Sequence, residues 1–455
     1  MRSNFWMSAR FGLACAALAL AGTAQAGKLY LMGGGYSDTN TDLFVEGLRK
    51  ATGKDTAFVP NINSTANCGT DWATTRCPRI AVVTSAKSSH ALGLDAFQND
   101  LRRSDGSIKR GYYNLFQTHG FSPKFITAHV DNHGTHSYSG NAAGNANIAI
   151  VQQADVVWFA GGDQALIART WLKDDGSDTP LAAALRSAWN QGNGTVVIGG
   201  DSAGNHILNA TMHGNGISYG YLYYGADLQA KTISQYAQFS DTRDGAQALR
   251  AFDNGVTMKG LGFLPAGLLS DTHFDARSGR LGRLVAAQRH IGVTQGLGVD
   301  EDTGLLVDTG TSKARVYGNG PVIISDTAAA SVQAGTYYKV NGVRVSLLTR
   351  GDSYDYSTRA VTSSKPPIGT RYYSGYYDSA SIFSAFEVSK SLTRVVDQTD
   401  SVNIGRAPVP VYASGEPQYP AGSPVIRVRF TRDANTKGYH GSGRYTAAKV
   451  LVDIY

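Results

Sequence analysis

Along the first two thirds of the chain, apolar residues come in short unbroken runs, and each run closes on glycines or polar residues. Residues 28–32 lead into Gly33-Gly34-Gly35, residues 80–84 into Ser85-Ala86-Lys87, and residues 125–130 into the polar stretch 131–137. Residues 154–160 lead into Gly161-Gly162-Asp163-Gln164, and residues 195–198 into Gly199-Gly200-Asp201-Ser202. Most are followed by a stretch with helical spacing. Unbroken apolar runs of this length, alternating with helices, predict parallel strands covered on both faces. Reactive side chains in such sheets gather at the carboxyl ends of the strands, where these loops lie.

After about residue 316 the rhythm changes. Strand-like runs at 322–324, 337–340 and 343–348 follow one another without helices, so antiparallel strands are expected to close or extend the first sheet. Residues 362–370, with paired serines, paired prolines and a glycine, read as a linker. The expected organisation is a main unit over 27–360 and a β-rich region over 374–455, with strands near 425–430 and 447–455. No internal repeat, heptad pattern or low-complexity tract interrupts it.

The first residues are unlike the rest. Arg2 and Arg10 precede an apolar run over 11–21 and then Ala24-Gln25-Ala26, a small-x-small cleavage pattern. The run falls short of the roughly 20 residues that span a bilayer. A secretory leader over 1–26, with the mature chain beginning at Gly27, is therefore expected, and with it an extracellular location without a membrane anchor. The formal net charge of +7 is spread over 455 residues with no Lys/Arg run, which argues against nucleic acid as a partner. Cys15 falls in the leader, leaving Cys68 and Cys77 around a polar loop. In an oxidising compartment a disulfide between them is the default, and their spacing without a neighbouring histidine does not suit zinc.

The pattern G-x-S-x-G occurs twice, at 200–204 and 216–220. Ser202 follows an apolar run and precedes a helix-compatible stretch, the strand-turn-helix context that forces a serine into an exposed position. Ser218 sits in a Gly/Tyr/Asn-rich stretch with no apolar run before it and reads as loop. Ser202 is the candidate nucleophile, and it needs a base held by a third group. His129, His133 and His136 with Asp131 read as a solvated loop rather than a metal site. His273, in Leu268-Leu269-Ser270-Asp271-Thr272-His273-Phe274, ends a short apolar strand and is the better base. Between Glu46 and Glu301 there is no glutamate. Glu301 lies among three adjacent acids, Asp300-Glu301-Asp302, after another short apolar run. From the residues alone, an orienting acid and a solvated acidic turn are equally good readings.

Six segments in order resemble the cyanophycinase family, which belongs with the aspartyl dipeptidases among serine peptidases. They are Phe159-Ala160-Gly161-Gly162-Asp163-Gln164, Gly199-Gly200-Asp201-Ser202-Ala203-Gly204, Gly260-Leu261-Gly262-Phe263-Leu264-Pro265, Asp271-Thr272-His273-Phe274 with Arg277, Arg280 and Arg283 after it, Gly298-Val299-Asp300-Glu301-Asp302-Thr303, and Leu348-Thr349-Arg350-Gly351-Asp352. The resemblance spans residues 28–355 and stops short of the C-terminal region. Asp201 stands where the family usually has threonine, and Thr272 where glutamine is common. A stretch over 214–246 looks inserted.

The resemblance implies an α/β sandwich like that of class I glutamine amidotransferases, with a mostly parallel central sheet. It implies a Ser202-His273-Glu301 triad, with Asp227 and Asp244 of the insertion open as alternative acids. The substrate implied is cyanophycin, a poly-aspartate with arginine on each side-chain carboxyl, cut to β-Asp-Arg dipeptides. Backbone amides near Gly162 and Ala203 would then form the oxyanion hole. Gln164, Asp271, Thr272, Arg277, Arg280 and Arg283 would line the substrate cleft, the arginines meeting substrate carboxylates with forked hydrogen bonds. No cofactor or metal is expected. The polymer is the expected partner, with a homodimer left open. Two other readings compete: a secreted α/β-hydrolase esterase, whose acid would precede its histidine, and a non-catalytic polymer-binding protein on a peptidase scaffold.

Overall fold

The computed structural model describes residues 27–455 apart from 55–67, 103, 105, 192–195, 215, 224–227, 236–254, 336, 409–410, 414–415 and 419–424. The expected leader, Asp227 and Asp244 lie outside the described residues.

Strands β1 (Lys28–Met32), β2 (Arg79–Val83), β3 (Ser122–Ile126), β4 (Val156–Phe159) and β5 (Val197–Asp201) form the parallel half of a nine-stranded sheet, in the order β1-β5-β4-β2-β3. Both faces of these strands are buried, which is why their sequences are apolar without alternation. Leu29, Leu31, Val83, Val157 and Ile198 face one core, while Tyr30, Met32, Val82, Trp158 and Val197 face another. The helices between the strands cover these faces: α1 (His90–Gln98), α2 (Tyr112–Thr118), α3 (Ala142–Gln153), α4 (Gln164–Trp171) and α5 (Pro180–Gln191). A one-turn helix, α6 (Ala203–His206), follows β5, and α7 (Ser218–Tyr223) comes after it. Ser218 is therefore helical and buried, not in a loop.

The chain then shuttles between two sheets. Strands β6 (Leu268–Asp271) and β7 (Gln295–Val299), joined by helix α8 (Leu281–Ile291), pair in parallel and start the second sheet. Strands β8 (Thr303–Asp308) and β9 (Lys313–Gly318) cross back and extend the first sheet antiparallel to β1. Strands β10 (Val322–Asp326) and β11 (Lys339–Leu348) return to the second sheet, and β12 (Ser353–Asp355) and β13 (Ala360–Thr362) finish the first. The antiparallel strands expected after residue 316 are thus divided between both sheets. Leu297, Val299, Val322 and Ile324 of the second sheet share one core with Leu29, Leu305 and Val316 of the first.

The C-terminal strands complete the second sheet. Strands β14 (Asp378–Ser379), β15 (Val402–Pro408), β16 (Val425–Thr431), β17 (Lys437–Gly441) and β18 (Arg444–Ile454) join it through β18, which pairs with β11. Helix α9 (Glu387–Val396) lays Val388, Leu392, Val395 and Val396 on the same core as Val345, Val428, Phe430 and Val452. The stretch expected as a linker thus leads into strands that pair with those before it. Cys68 and Cys77 are joined by a disulfide, their Cα atoms 6.1 Å apart. Among the described residues, no helix is long and apolar enough to cross a membrane.

Candidate active site

Three loops meet at the carboxyl end of β1, one from each sheet and one from the crossing between them. Ser202 follows β5 of the first sheet, His273 follows β6 of the second, and Glu301 sits in the turn where β7 gives way to β8. Ser202 Oγ lies 2.8 Å from His273 Nε2, and His273 Nδ1 lies 2.6 Å from Glu301 Oε1.

Local backbone geometry sets up this meeting. Ser202 has φ 54° and ψ −115°, a conformation costly for any residue with a side chain. It holds because the strand-to-helix turn is very tight: a Cβ at Gly204 would run into the Phe159 main chain. His273 (φ 45°) and Asp302 (φ 50°) are also left-handed. The three strained residues donate to three consecutive carbonyls. Ser202 N–H bonds Met32 O at 3.2 Å, His273 N–H bonds Gly33 O at 3.1 Å and Asp302 N–H bonds Gly34 O at 3.0 Å. Gly34 itself has φ 93°, and a Cβ there would enter the imidazole of His273. The glycine run after the first strand is therefore the seam on which the loops are hung. Asn205 and Asn209 add side-chain hydrogen bonds across to Ser270, 2.7 Å for Ser270 Oγ to Asn205 Oδ1, tying α6 to β6.

The electrostatics of the three residues are set by burial and by Arg277. Burial, then the charges of Arg277 and Arg280, push His273 down to about 4 against the pull of Glu301, so the imidazole is neutral near pH 7. Burial alone would raise Glu301, but the hydrogen bonds from His273 and Arg277 and the arginine's charge outweigh it and hold the carboxyl below its ordinary value. Arg277 Nε donates to the same Oε1 at 2.6 Å, with its side chain 61 % exposed.

The other expected cleft residues divide sharply. Asp271 is fully buried and takes hydrogen bonds from Thr272 N–H, His213 Nε2 (3.1 Å) and Arg283 Nε (2.9 Å). His206 and Arg280 also pair with it, at 3.2 and 3.3 Å. Burial opposes its ionisation, but Arg283, then His213 and the remaining donors, take it well below the ordinary carboxylate range. The expectation that all three arginines open onto one cleft is corrected by this cluster. A buried carboxylate draws cations inward, so Arg280 and Arg283 serve Asp271, and Thr272 is closed in with its carbonyl held by Arg280. Arg277 is the most exposed of the three beside His273, while Arg280 is mostly covered and Arg283 buried. Gln164 is half-buried at the start of α4, beside Gly162, which is exposed with φ 151°. A Cβ on Gly161 would touch that of Ser202, so the Gly161-Gly162 turn passes directly by the serine. Ala203 N–H opens α6, a position with no partner within the helix.

Two further features have contacts that the sequence did not suggest. Asp201, just before Ser202, is buried and takes hydrogen bonds from Trp158 Nε1 (3.2 Å) and Tyr112 OH (3.3 Å), while Gly161 N–H donates to that same tyrosine oxygen. Burial holds its carboxyl above the ordinary range, against the pull of Lys109 and these donors. Behind Ser202 there is thus an acid-tyrosine-tryptophan brace. The second feature is the pair Asp275 and Asp300, both buried. The histidines expected in a solvated loop are also placed otherwise: His129 is buried against Thr84 Oγ1 at 3.0 Å, and His136 bonds Thr127.

An α/β fold presenting a serine, a histidine and a glutamate in hydrogen-bonded sequence at the end of a parallel strand is the class the structure defines. No protein-family model matches the chain. Among solved structures it is similar to a peptidase from an acI-B1 actinobacterium, at 15% identity over 73% of this chain and 98% of that one, with a TM-score of 0.37. It is also similar to a putative peptidase E protein from Listeria monocytogenes EGD-e, at 8% identity over 65% of this chain and 100% of that one, with a TM-score of 0.32. Likeness at this level leaves function to be argued from the site.

Proposed function

We propose that this protein is a serine-type peptidase of cyanophycinase specificity, exported by its leader and cleaving cyanophycin to β-Asp-Arg dipeptides. The observation that carries the reading is the chain of short contacts from Ser202 Oγ through His273 to Glu301, 2.8 and 2.6 Å long, with the imidazole neutral at working pH. Ser202 Oγ attacks the scissile carbonyl carbon while His273 Nε2 takes its proton. Glu301 fixes the tautomer through Nδ1–H and stabilises the imidazolium that forms. The N–H groups of Gly162 and Ala203 receive the oxyanion. The tetrahedral adduct collapses as His273 returns the proton to the leaving amine, and water, deprotonated by the same histidine, then hydrolyses the acyl-enzyme. Arg277, the solvent-facing cation of the set, is suited to the free carboxylate of a substrate arginine.

The test is clearing of an insoluble cyanophycin suspension with identification of the products. Wild type should release the dipeptide. Ser202→Ala should remain folded and lose activity, whereas Ser218→Ala should keep it, because Ser218 Oγ donates to Gly279 O and accepts Arg283 N–H, main-chain bonds that dock α7 on α8. Hydrolysis of neutral p-nitrophenyl esters without any action on cyanophycin would replace this reading with an esterase.

A further inference from the structure

The C-terminal region touches the reactive loops at specific points. Asp275, two residues beyond His273, is fully buried. Its Oδ2 accepts Ser389 N–H at 2.7 Å, in the first turn of α9, and its main-chain oxygen accepts Phe386 N–H at 2.8 Å. Phe386, which caps that helix, is left-handed at φ 64°, an unfavourable state for an aromatic residue. Four residues further along the histidine loop, Gly279 N–H bonds Phe383 O at 2.9 Å. Three hydrogen bonds thus fasten residues 275–279 to the start of α9.

The fastening continues to the acid. Asp300 Oδ1 accepts both Ala276 N–H (3.0 Å) and Glu301 N–H (2.8 Å), joining the loop of the base to the loop of its acid. Asp275 Oδ1 and Asp300 Oδ2 are buried with no hydrogen-bond partner among the described residues. Burial pushes both carboxyls up, Asp275 to about 7. A second tie comes from the β17–β18 hairpin. Arg444 holds Asn319 O and Oδ1 at 2.9 and 3.1 Å, and Asn319 Nδ2 holds Asp302 Oδ2 at 2.7 Å, next to Glu301.

We propose that Asp275 is a positioning residue through which α9 sets the histidine and glutamate loops, making the C-terminal region part of the active-site scaffold. The proposal rests on the Ser202-His273-Glu301 reading. Its logic is geometric: the left-handed backbone at His273 and the short contacts on either side of the ring tolerate little displacement, and a shift of about 1 Å in such a constellation lowers turnover by about a hundredfold. Asparagine at 275 keeps an acceptor for Ser389 N–H, whereas alanine removes it.

The experiment compares wild type, Asp275→Ala, Asp275→Asn and Arg444→Ala, with cyanophycin turnover expressed per active site. Sites are counted by stoichiometric labelling of Ser202 with a sulfonyl fluoride, located by mass spectrometry. Asp275→Ala should lower kcat per labelled site about ten- to a hundredfold with KM within about twofold, and Asp275→Asn should stay within about threefold of wild type. Arg444→Ala, on an arm at the surface, should lower kcat per site about threefold and serves as the deciding variant if Asp275→Ala does not fold. Unchanged turnover per labelled site in Asp275→Ala, or in Arg444→Ala where that variant decides, overturns the proposal, since a merely structural role would reduce the number of sites and not their speed. Asp275→Asn as slow as Asp275→Ala overturns it as well. Full activity in a Ser202→Ala control, with no labelling of Ser202 in wild type, would instead sink the catalytic reading itself.

Discussion

Arg277→Gln should move the acid limb of the enzyme's pH profile upward. Arg277 Nε and His273 Nδ1 both bond Glu301 Oε1 at 2.6 Å, so the two nitrogens stand within about 5 Å of each other. Arg277 is the largest charge effect depressing His273, second only to burial. Because its side chain is 61 % exposed, its field acts through a dielectric nearer to water than to protein. With an effective constant of about 40–80, two charges about 5 Å apart interact by about 0.8–1.7 kcal/mol, or about 0.6–1.2 pH units. The sign follows from the base. His273 must be neutral to accept the serine proton, so activity is lost as pH falls through its pKa of about 4. Removing a nearby cation makes the imidazole easier to protonate and raises that limb. A substrate carboxylate would blur the reading, so the assay is the second-order rate of inactivation by a neutral sulfonyl fluoride between pH 3 and 8. Arg277→Lys should keep most of the wild-type limb, because the charge remains. High salt should shift the wild-type limb toward that of Arg277→Gln. A limb that stays in place in Arg277→Gln, or moves to lower pH, would refute the argument.

Glu301→Gln should keep the fold and lower kcat by up to about 10⁴, as losing the orienting acid does in serine proteases, with circular dichroism unchanged. Asp271→Asn should act on stability rather than on specificity: it leaves Arg283 and Arg280 buried without their carboxylate, a loss of about 3–5 kcal/mol measurable by urea unfolding, while whatever folds should retain a near-normal KM.

Several parts of this architecture were open to a reader of the sequence because they depend on neighbours along the chain. The apolar runs at β1, β2, β4 and β5 end within a few residues of where their composition says they should, since a strand buried on both faces is built mostly of apolar residues. β3 was displaced, starting at Ser122 rather than near 125, because Pro123 and Lys124 fit an outer strand and interrupt the apolar pattern. Ser202 stood out from Ser218 by its strand-turn-helix context alone. Glu301 did not stand out in the same way. It is brought to His273 by the crossing of β7 and β8 between two sheets, a register of Met32 with Gly304 and of Gly298 with Ile323 that no local pattern encodes. The arginines misled for a similar reason. Their spacing after His273 was visible, but the buried Asp271 that claims two of them shares its carboxylate with His206 and His213, and that convergence exists only in three dimensions. The C-terminal strands were visible as strands, yet β18 finds β11 across about a hundred residues, and composition gives no sign of such a pairing.

The arrangement of strain explains why one glycine run matters as much as the reactive side chains. Non-glycine residues with positive φ are uncommon, and a scattered set would argue only for tight turns. Here three of them, Ser202, His273 and Asp302, come from loops on different strands and donate to Met32, Gly33 and Gly34 in turn. Each strained residue is thus stabilised by a bond to the same short stretch of main chain, and none could relax without releasing its loop from the others. Glycine is required along that stretch because the space a side chain would occupy is already filled: by the Asp300 main chain at Gly33, by the His273 ring at Gly34 and by the Glu301 carboxylate at Gly35. Parallel strands have their carboxyl ends at one edge of the sheet, so a loop leaving β1 there can accept hydrogen bonds from β5 on one side and from the β7–β8 crossing on the other. The serine, the histidine and the glutamate are therefore held in register by main-chain bonds of the fold itself, which is the preorganisation that the proposed acyl transfer would require.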